Sequence, residues 1–368
     1  MKIKSIELFL AKINLKQVFT TSLGSRDHNE NIFVRIATDK GQIGWGECSP
    51  NPKINGETAQ TGLIIGSMLA KVLLGKDPRE HDEIMATMDK SIYGNTSIKS
   101  AIDIACYDLA ARDADQPLYL YLGGTLSKKI YTDYTVSVND IDKMVIDAKR
   151  IKELGFPSIK VKLGDGKADD IARIAAIRKE VGEEIDLRVD ANQGWKVKQA
   201  IEVLNGIEEF NVQYCEEPIS RRNYFKLKKV KKHSTVKIMA DESLFDHYDA
   251  RKLIKDNHCD MFNIKLGKSS GIYKAQKIIQ EAEAAQMDMQ IGGFMGSRLI
   301  ITANCHLAHT SEFIKYYDFD SPLFHSINPI KGGIEYQKDW EIRIPDAPGL
   351  GLKVDLSFLK TCPSVIIK

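Results

Sequence analysis

IKVK (159–162), LRVD (187–190), VQYCE (212–216), KIMAD (237–241) and MFNIK (261–265) are five short, largely apolar runs, each ending in a charged residue. The ends, Lys162, Asp190, Glu216, Asp241 and Lys265, are spaced 28, 26, 25 and 24 residues apart, and a helix-like segment fills each interval. That spacing is the length of a strand, a helix and two loops. Strands alternating with helices of about 10–15 residues make parallel βαβ units. One lysine or aspartate closing a strand says little. Five in one phase place three carboxylates, flanked by two lysines, on one ring of strand ends.

The alternation extends in both directions. Strands are expected at 130–138, 158–163, 186–191, 212–217, 237–242, 260–266, 287–293 and 315–320, with helices such as 140–154, 168–181, 197–209, 246–256, 271–285 and 298–310 between them. Eight such strands fit a closed α/β barrel better than an open sheet, and an α/β barrel needs about 250 residues as one domain. The barrel is expected over 125–324. Before it, 1–124 reads as a separate α+β unit bounded by Gly123-Gly124. Residues 1–13 are a strand, and NIFVRIAT and QIGWGECS are two more around the turn Asp39-Lys40-Gly41. The polar stretch from Asn14 to Asn31 lacks a pattern, and a loop of that length is a lid, a binding loop or disordered. Three helical patterns follow, Glu57–Leu74, Arg79–Lys90 and Thr96–Arg112. The last carries a buried stripe of Ile98, Ala101, Ile102, Ala105 and Leu109. After Pro322 the period breaks, and 325–368 is expected to return to the first unit.

Composition sets limits on partners. Of 368 residues 43% are hydrophobic and 28% charged, and the net charge is +2, which argues against nucleic acid and against an anionic membrane surface. The basic run LKKVKKH (227–233) is a solvated helix face on this reading. Six cysteines without a CxxC pair read as reduced thiols, and no signal peptide or membrane span is recognisable, so a cytoplasmic protein is expected.

The chemistry follows from the strand ends. Active residues of a parallel α/β barrel gather where the C-terminal ends of its strands converge. Three carboxylates in one mouth, Asp190, Glu216 and Asp241, repel one another unless a cation neutralises them. Oxygen ligands on rigid strands favour Mg²⁺, or Mn²⁺, over zinc. Lys162 and Lys265 stand one strand to either side. A lysine desolvated beside a dication has its pKa lowered toward about 7–8, where it serves as a base. A metal that holds a substrate carboxylate stabilises the enediolate left when the α-proton departs. Lysines on opposite faces then remove a proton from one side and return one from the other.

Lys160-Val161-Lys162, Asp190-Ala191-Asn192, Glu216-Glu217-Pro218, Asp241-Glu242-Ser243 and Asn263-Ile264-Lys265 resemble the motifs of the enolase superfamily, in its muconate-lactonizing-enzyme subgroup. The resemblance implies a modified (β/α)7β barrel under an α+β capping domain built from both termini, with 14–31 as its lid loop. It implies one Mg²⁺ per subunit on Asp190, Glu216 and Asp241, and an acid/base pair of Lys162 and Lys265. Lys160 is implied to hold the substrate carboxylate, with Thr135 and Asn192 beside it. Asp318-Phe319-Asp320, on the eighth strand, resembles the pair with which dipeptide epimerases hold a free α-ammonium, since side chains two apart on a strand point the same way. The implied reaction is epimerisation at the C-terminal residue of L-Ala-L-Glu-like dipeptides, with Arg26 as partner for the acidic side chain. A homo-oligomer with a small-molecule dipeptide as its ligand is expected. A cycloisomerase or o-succinylbenzoate synthase of the same subgroup is the runner-up, and a Schiff-base aldolase a second class. One departure stands out. Many relatives end the seventh strand with a glutamate, and Ile291–Ser297 has none.

Overall fold

The computed structural model describes residues 1–368. Eight parallel strands, Tyr134–Val136, Ser158–Lys162, Asp186–Asp190, Val212–Glu216, Lys237–Ala240, Met261–Lys265, Asp288–Gly292 and Ile314–Tyr317, neighbour one another in chain order. Seven helices join them: Ile141–Glu153, Lys167–Val181, Val197–Gly206, Leu227–Lys232, His247–Lys255, Ile272–Ala284 and Arg298–Ala308. Only one turn, Ser321–Phe324, follows the eighth strand, so the barrel is a (β/α)7β variant. The seam between first and eighth strands is closed by Asp133 N donating to Tyr317 O (3.4 Å), Phe319 N to Thr132 Oγ1 (3.1 Å) and Thr135 N to Asp320 Oδ2 (2.8 Å).

Strand side chains alternate between faces, and here the alternation separates two environments. Ile159, Val161, Leu187, Val189, Phe262, Ile264 and Ile291 join the large apolar cluster beneath the helices. Their neighbours Lys160, Lys162, Arg188, Asp190, Tyr214, Glu216, Asn263, Lys265 and Gln290 are also buried. An α/β barrel interior is usually filled with branched apolar residues. This one holds charges and their hydrogen-bond partners, with Met239 and Met261 packed against Tyr214.

The cap is a four-stranded antiparallel sheet, in order Ser364–Ile367, Ile3–Thr21, Gly24–Thr38 and Ile43–Cys48. The last strand of the chain thus pairs with the first, Ile6 opposite Ile367. Helices Ala59–Leu73, His81–Ser91 and Thr96–Asp113 cover the sheet through a second apolar cluster. A Cβ at Gly46 would lie 1.8 Å from Ala101 O, so only glycine lets the third helix sit this close to the sheet.

The stretch expected to be a lid loop is a β-hairpin instead. Its strands run on to Thr21 and from Gly24, with Phe19 opposite Arg26 and Thr21 opposite Gly24. The register of this arm shifts between Asn14 and Phe19. Alternation is missing from the sequence because neither face of this arm is packed by the cap helices; its residues are mostly exposed or half-buried. Ser22 Oγ at the tip donates to Ala191 O and Asn192 O, both at 2.9 Å, which fastens the hairpin to the end of the third barrel strand. No helix is long and apolar enough to cross a membrane.

Candidate active site

The five charged strand ends meet. Parallel register sets Lys162 beside Asp190 and Asp190 beside Glu216, and Asp241 follows the fifth strand directly. The three carboxylates are fully buried. Lys162 Nζ lies 2.6 Å from Asp190 Oδ2, and Lys265 Nζ lies 2.7 Å from Asp241 Oδ2 and 3.3 Å from Glu216 Oε1. Lys160 Nζ sits 2.7 Å from Glu216, 3.4 Å from Asp190 and 2.9 Å from Asp318. Backbone strain marks the same place: Asn192, Gln193 and Glu217, immediately after two of the strand ends, all have positive φ.

Electrostatics follow from this packing. Burial alone would raise Glu216, but Lys160, Lys265 and Lys162 hold its carboxyl well below the usual range. Burial lowers Lys160 and Lys265, yet Asp318, Glu216 and Asp190 around the first and Asp241 and Glu216 around the second hold both above the ordinary lysine range. The lowering expected of these lysines is that of an ammonium beside a dication, a different neighbour from the carboxylates that raise Lys265 here. Its ammonium is itself the counter-ion of the carboxylates.

The donor set fits a hard dication. It consists of carboxylate oxygens on rigid strand ends, and the three converge on positive charge: the Lys160 ammonium bridges Asp190 and Glu216, and the Lys265 ammonium bridges Glu216 and Asp241. A second acidic group also merits comparison. Asp133, Asp318 and Asp320 bring one oxygen each within 4.8 Å of the others. Burial and Asp318 push Asp133 up to about 7 against the pull of Arg188, and burial with Asp318 and Asp133 raises Asp320 well above its ordinary value. Each of these aspartates has its own donor, Arg188 Nη1 (3.0 Å) for Asp133, Lys160 Nζ (2.9 Å) for Asp318 and Thr135 N (2.8 Å) for Asp320. Asp133 Oδ1 is nonetheless buried without a partner.

One cavity of about 490 Å³ gathers Lys162, Lys265, Asp318, Asp320, Thr135 and Asn192 with Arg26 of the hairpin. Asn192 N donates to Asp190 Oδ1 at 2.8 Å, and its own Oδ1 is buried without a partner. Arg26 is half-buried and gives one hydrogen bond to Asn29 Oδ1 at 3.3 Å. Phe19, Leu23, Ile54, Phe294 and Met295 form the apolar part of the wall.

Several residues escaped the sequence reading. Lys268 is buried and bonds Asp241 Oδ1 and Asp241 O, with Asn263 O at 3.1 Å, so a second lysine orients the Asp241 carboxylate. Glu217 accepts Asp241 N at 2.8 Å and Ser243 N at 3.1 Å, bracing the fifth strand end from the fourth. Arg188 and Asp133 form an ion pair beneath the mouth. Their signal was present: Asp133, Arg188 and Tyr214 stand two residues before Thr135, Asp190 and Glu216, on the same strand face. The missing glutamate after the seventh strand has a packing counterpart. A Cβ at Gly296 would lie 2.1 Å from Ile300 Cγ2, and one at Gly292 2.7 Å from Asn263 Oδ1, so no side chain fits at either position.

Comparison with known proteins agrees with this geometry. Residues 5–123 match the mandelate racemase/muconate lactonizing enzyme N-terminal domain, and residues 143–358 match the enolase C-terminal domain-like family. The D-Ala-D/L-Ala epimerase of Cytophaga hutchinsonii is 47% identical over 367 residues, covering 100% of both chains. The structure of a Cytophaga hutchinsonii dipeptide epimerase with Mg and D-Ala-L-Val superposes with a TM-score of 0.99, over 100% of each chain at 47% identity. The Enterococcus faecalis dipeptide epimerase with Mg and L-Leu-L-Tyr gives a TM-score of 0.93 at 36% identity, covering 96% of this chain and 100% of that one. The relatives are epimerases and racemases, that is, isomerases acting on amino-acid derivatives. With both domains matched and a full-length relative at 47% identity, the chain belongs to the mandelate racemase/muconate lactonizing enzyme family of the enolase superfamily.

Proposed function

We propose that the protein is a Mg²⁺-dependent dipeptide epimerase that inverts the α-carbon of the C-terminal residue by proton transfer between two lysines. The observation that carries this reading is the single cavity lined at once by Lys162, Lys265, Asp318 and Asp320. Asp190, Glu216 and Asp241 hold one Mg²⁺ per chain, with Mn²⁺ able to replace it. Bound there, the dication offsets the negative charge that grows on the substrate carboxylate as the α-proton leaves.

The chain's own groups do the rest. Lys160 Nζ, between Asp190, Glu216 and Asp318, presents its positive charge to the substrate carboxylate. Lys162 Nζ and Lys265 Nζ approach the α-carbon from opposite sides; one takes the α-proton while the other gives one back. Asp318 and Asp320 accept hydrogen bonds from the substrate ammonium, and Thr135 N keeps Asp320 in place. The hairpin tip, fixed by Ser22, excludes water. Arg26 offers a guanidinium to an acidic second side chain, and Phe19, Leu23 and Ile54 favour small apolar ones, so L-Ala-L-Glu and Ala-Ala-type dipeptides are both candidates. The exposed apolar residues Ile64, Met68 and Val72 on one helix face, with Val365 of the edge strand, support self-association.

The aspartate pair separates this reading from a cycloisomerase or o-succinylbenzoate synthase, whose substrates carry no ammonium. Incubation of the protein with Mg²⁺ and these dipeptides in D₂O, followed by NMR, should give the C-terminal epimer with deuterium at its α-carbon. EDTA should stop the reaction, and Mg²⁺ should restore it. Turnover of N-acetyl-Ala-Glu as fast as Ala-Glu would sink the dipeptide reading.

A further inference from the structure

After the seventh barrel strand the chain runs Gly292-Gly293-Phe294-Met295-Gly296, and Gly293, Phe294 and Met295 line the cavity. None of these residues carries a polar side chain with which to fix its own position. The run is held from outside. Ser321 Oγ donates to Gly296 O at 2.9 Å, and Asn31 Nδ2, from the cap, donates to Met295 O at 3.3 Å. The strongest anchor is also from the cap.

Glu47, on the strand Ile43–Cys48, is fully buried, and its carboxylate accepts four hydrogen bonds. They come from Asn31 Nδ2 (2.7 Å), Ser297 N (2.8 Å), Ser297 Oγ (2.6 Å) and Ile300 N (3.2 Å). Ser297 caps the helix Arg298–Ala308, so a carboxylate of one domain sits at the positive end of a helix in the other. Ile300, held by the same carboxylate, fills the space beside Gly296, which leaves the loop no slack. The Phe294 ring that this arrangement aims lies 5.7 Å from Lys265 Nζ and packs on Gly267, where a Cβ would come within 3.0 Å of it.

We propose that Glu47 is a positioning residue for the Lys265 half of the reaction: across the domain boundary it holds Phe294 over the Lys265 ammonium, shielding that lysine from water and fixing its reach. The inference rests on the two-lysine reading above. Lys162 has no such dependence, because the cap meets its side of the mouth through Ser22 and the hairpin.

The test compares wild type, Glu47→Gln, Phe294→Leu and the double variant, all full-length and Mg²⁺-loaded. Deuterium wash-in at the α-carbon is followed separately from each epimer of one dipeptide. Glu47→Gln should slow wash-in roughly 10- to 100-fold from one epimer, the loss typical of a displacement of about 1 Å, and leave the other within about twofold. The affected epimer should be the one whose exchange Lys265→Ala removes. In the Phe294→Leu background Glu47→Gln should add no further loss. Equal slowing from both epimers, no slowing, or a full additional loss in that background would overturn the proposal. Where Glu47→Gln does not fold, Ser297→Ala must give the same one-sided loss. If wild type turns over no dipeptide, the epimerase reading fails on its own. Hydrogen exchange of the 293–300 amides then decides the clamp: faster in Glu47→Gln supports it, and unchanged refutes it.

Discussion

The barrel mouth and the layer just beneath it are both crowded with buried charge, yet they are built differently. In the mouth the cations are all lysines, Lys160, Lys162, Lys265 and Lys268, and the first and third bridge two or more carboxylates. Beneath it the cation is an arginine. Arg188 gives Nη1 to Asp133 Oδ2 at 3.0 Å and Nε to Gln213 at 3.0 Å, and it lies over the rings of Tyr214 and Tyr316. Tyr214 bonds Gln290, which reaches Glu216 at 3.4 Å. A guanidinium is always charged and planar, so it suits a fixed network; an ammonium is a point charge whose proton can leave. The contrast is what the proposed function calls for, a layer that exchanges protons and ions above a layer that holds it still.

The sharpest way to break this comparison is to remove a mouth carboxylate. Glu216→Gln should cost at least about a thousandfold in turnover, the several kcal/mol a dication contributes to charge stabilisation, while changing the melting temperature less than a change in the lower layer does. Arg188→Met should do the reverse. Leaving Asp133 buried without its partner destabilises by about 3–5 kcal/mol in a denaturant melt, and Asp133→Leu in the same chain should recover most of it. A smaller effect sharpens the boundary between the layers. On the proposed reading Asp320→Asn removes one charged hydrogen bond to the substrate ammonium, worth about 1.5–3 kcal/mol, so kcat/KM should fall roughly ten- to hundredfold for free dipeptides and less for N-acetylated ones.

A further effect is one of pH. Asp133 is pushed up to about 7 in the folded protein, chiefly by burial and Asp318, against about 3.9 in an unfolded chain. A carboxyl whose folded pKa is raised binds its proton more tightly when folded. Its contribution is therefore full below pH ~4 and is lost as pH rises through 7. Metal-free wild type should lose stability between about pH 4 and 7, and Asp133→Asn should flatten that slope.

Much of the mouth was legible because its charges stand at strand ends with one period, where helix-length gaps count residues reliably. The lower layer was harder to read. Arg188 inside LRVD and Asp133 inside TDYT look like ordinary strand polarity until the barrel closes and both point inward. The hairpin was misread for a physical reason: an arm whose residues are mostly exposed or half-buried has little apolar alternation to show. Lys268 and Glu47 were invisible because their partners, Asp241 and Ser297, lie in other elements. No local pattern announces a contact whose two ends are 250 residues apart in the chain, as Glu47 and Ser297 are.

The central claim is that Lys162 and Lys265 serve opposite faces of one α-carbon, and face-resolved exchange tests it most directly. Purified Lys162→Ala and Lys265→Ala, each with Mg²⁺, are given the two epimers of one dipeptide separately in D₂O, and α-deuterium and inversion are followed together by NMR. Neither variant should invert the substrate, and each should exchange the α-proton of one epimer only, the two variants choosing opposite epimers. Inversion by either variant at the wild-type rate, or exchange of the same epimer by both, would contradict the account.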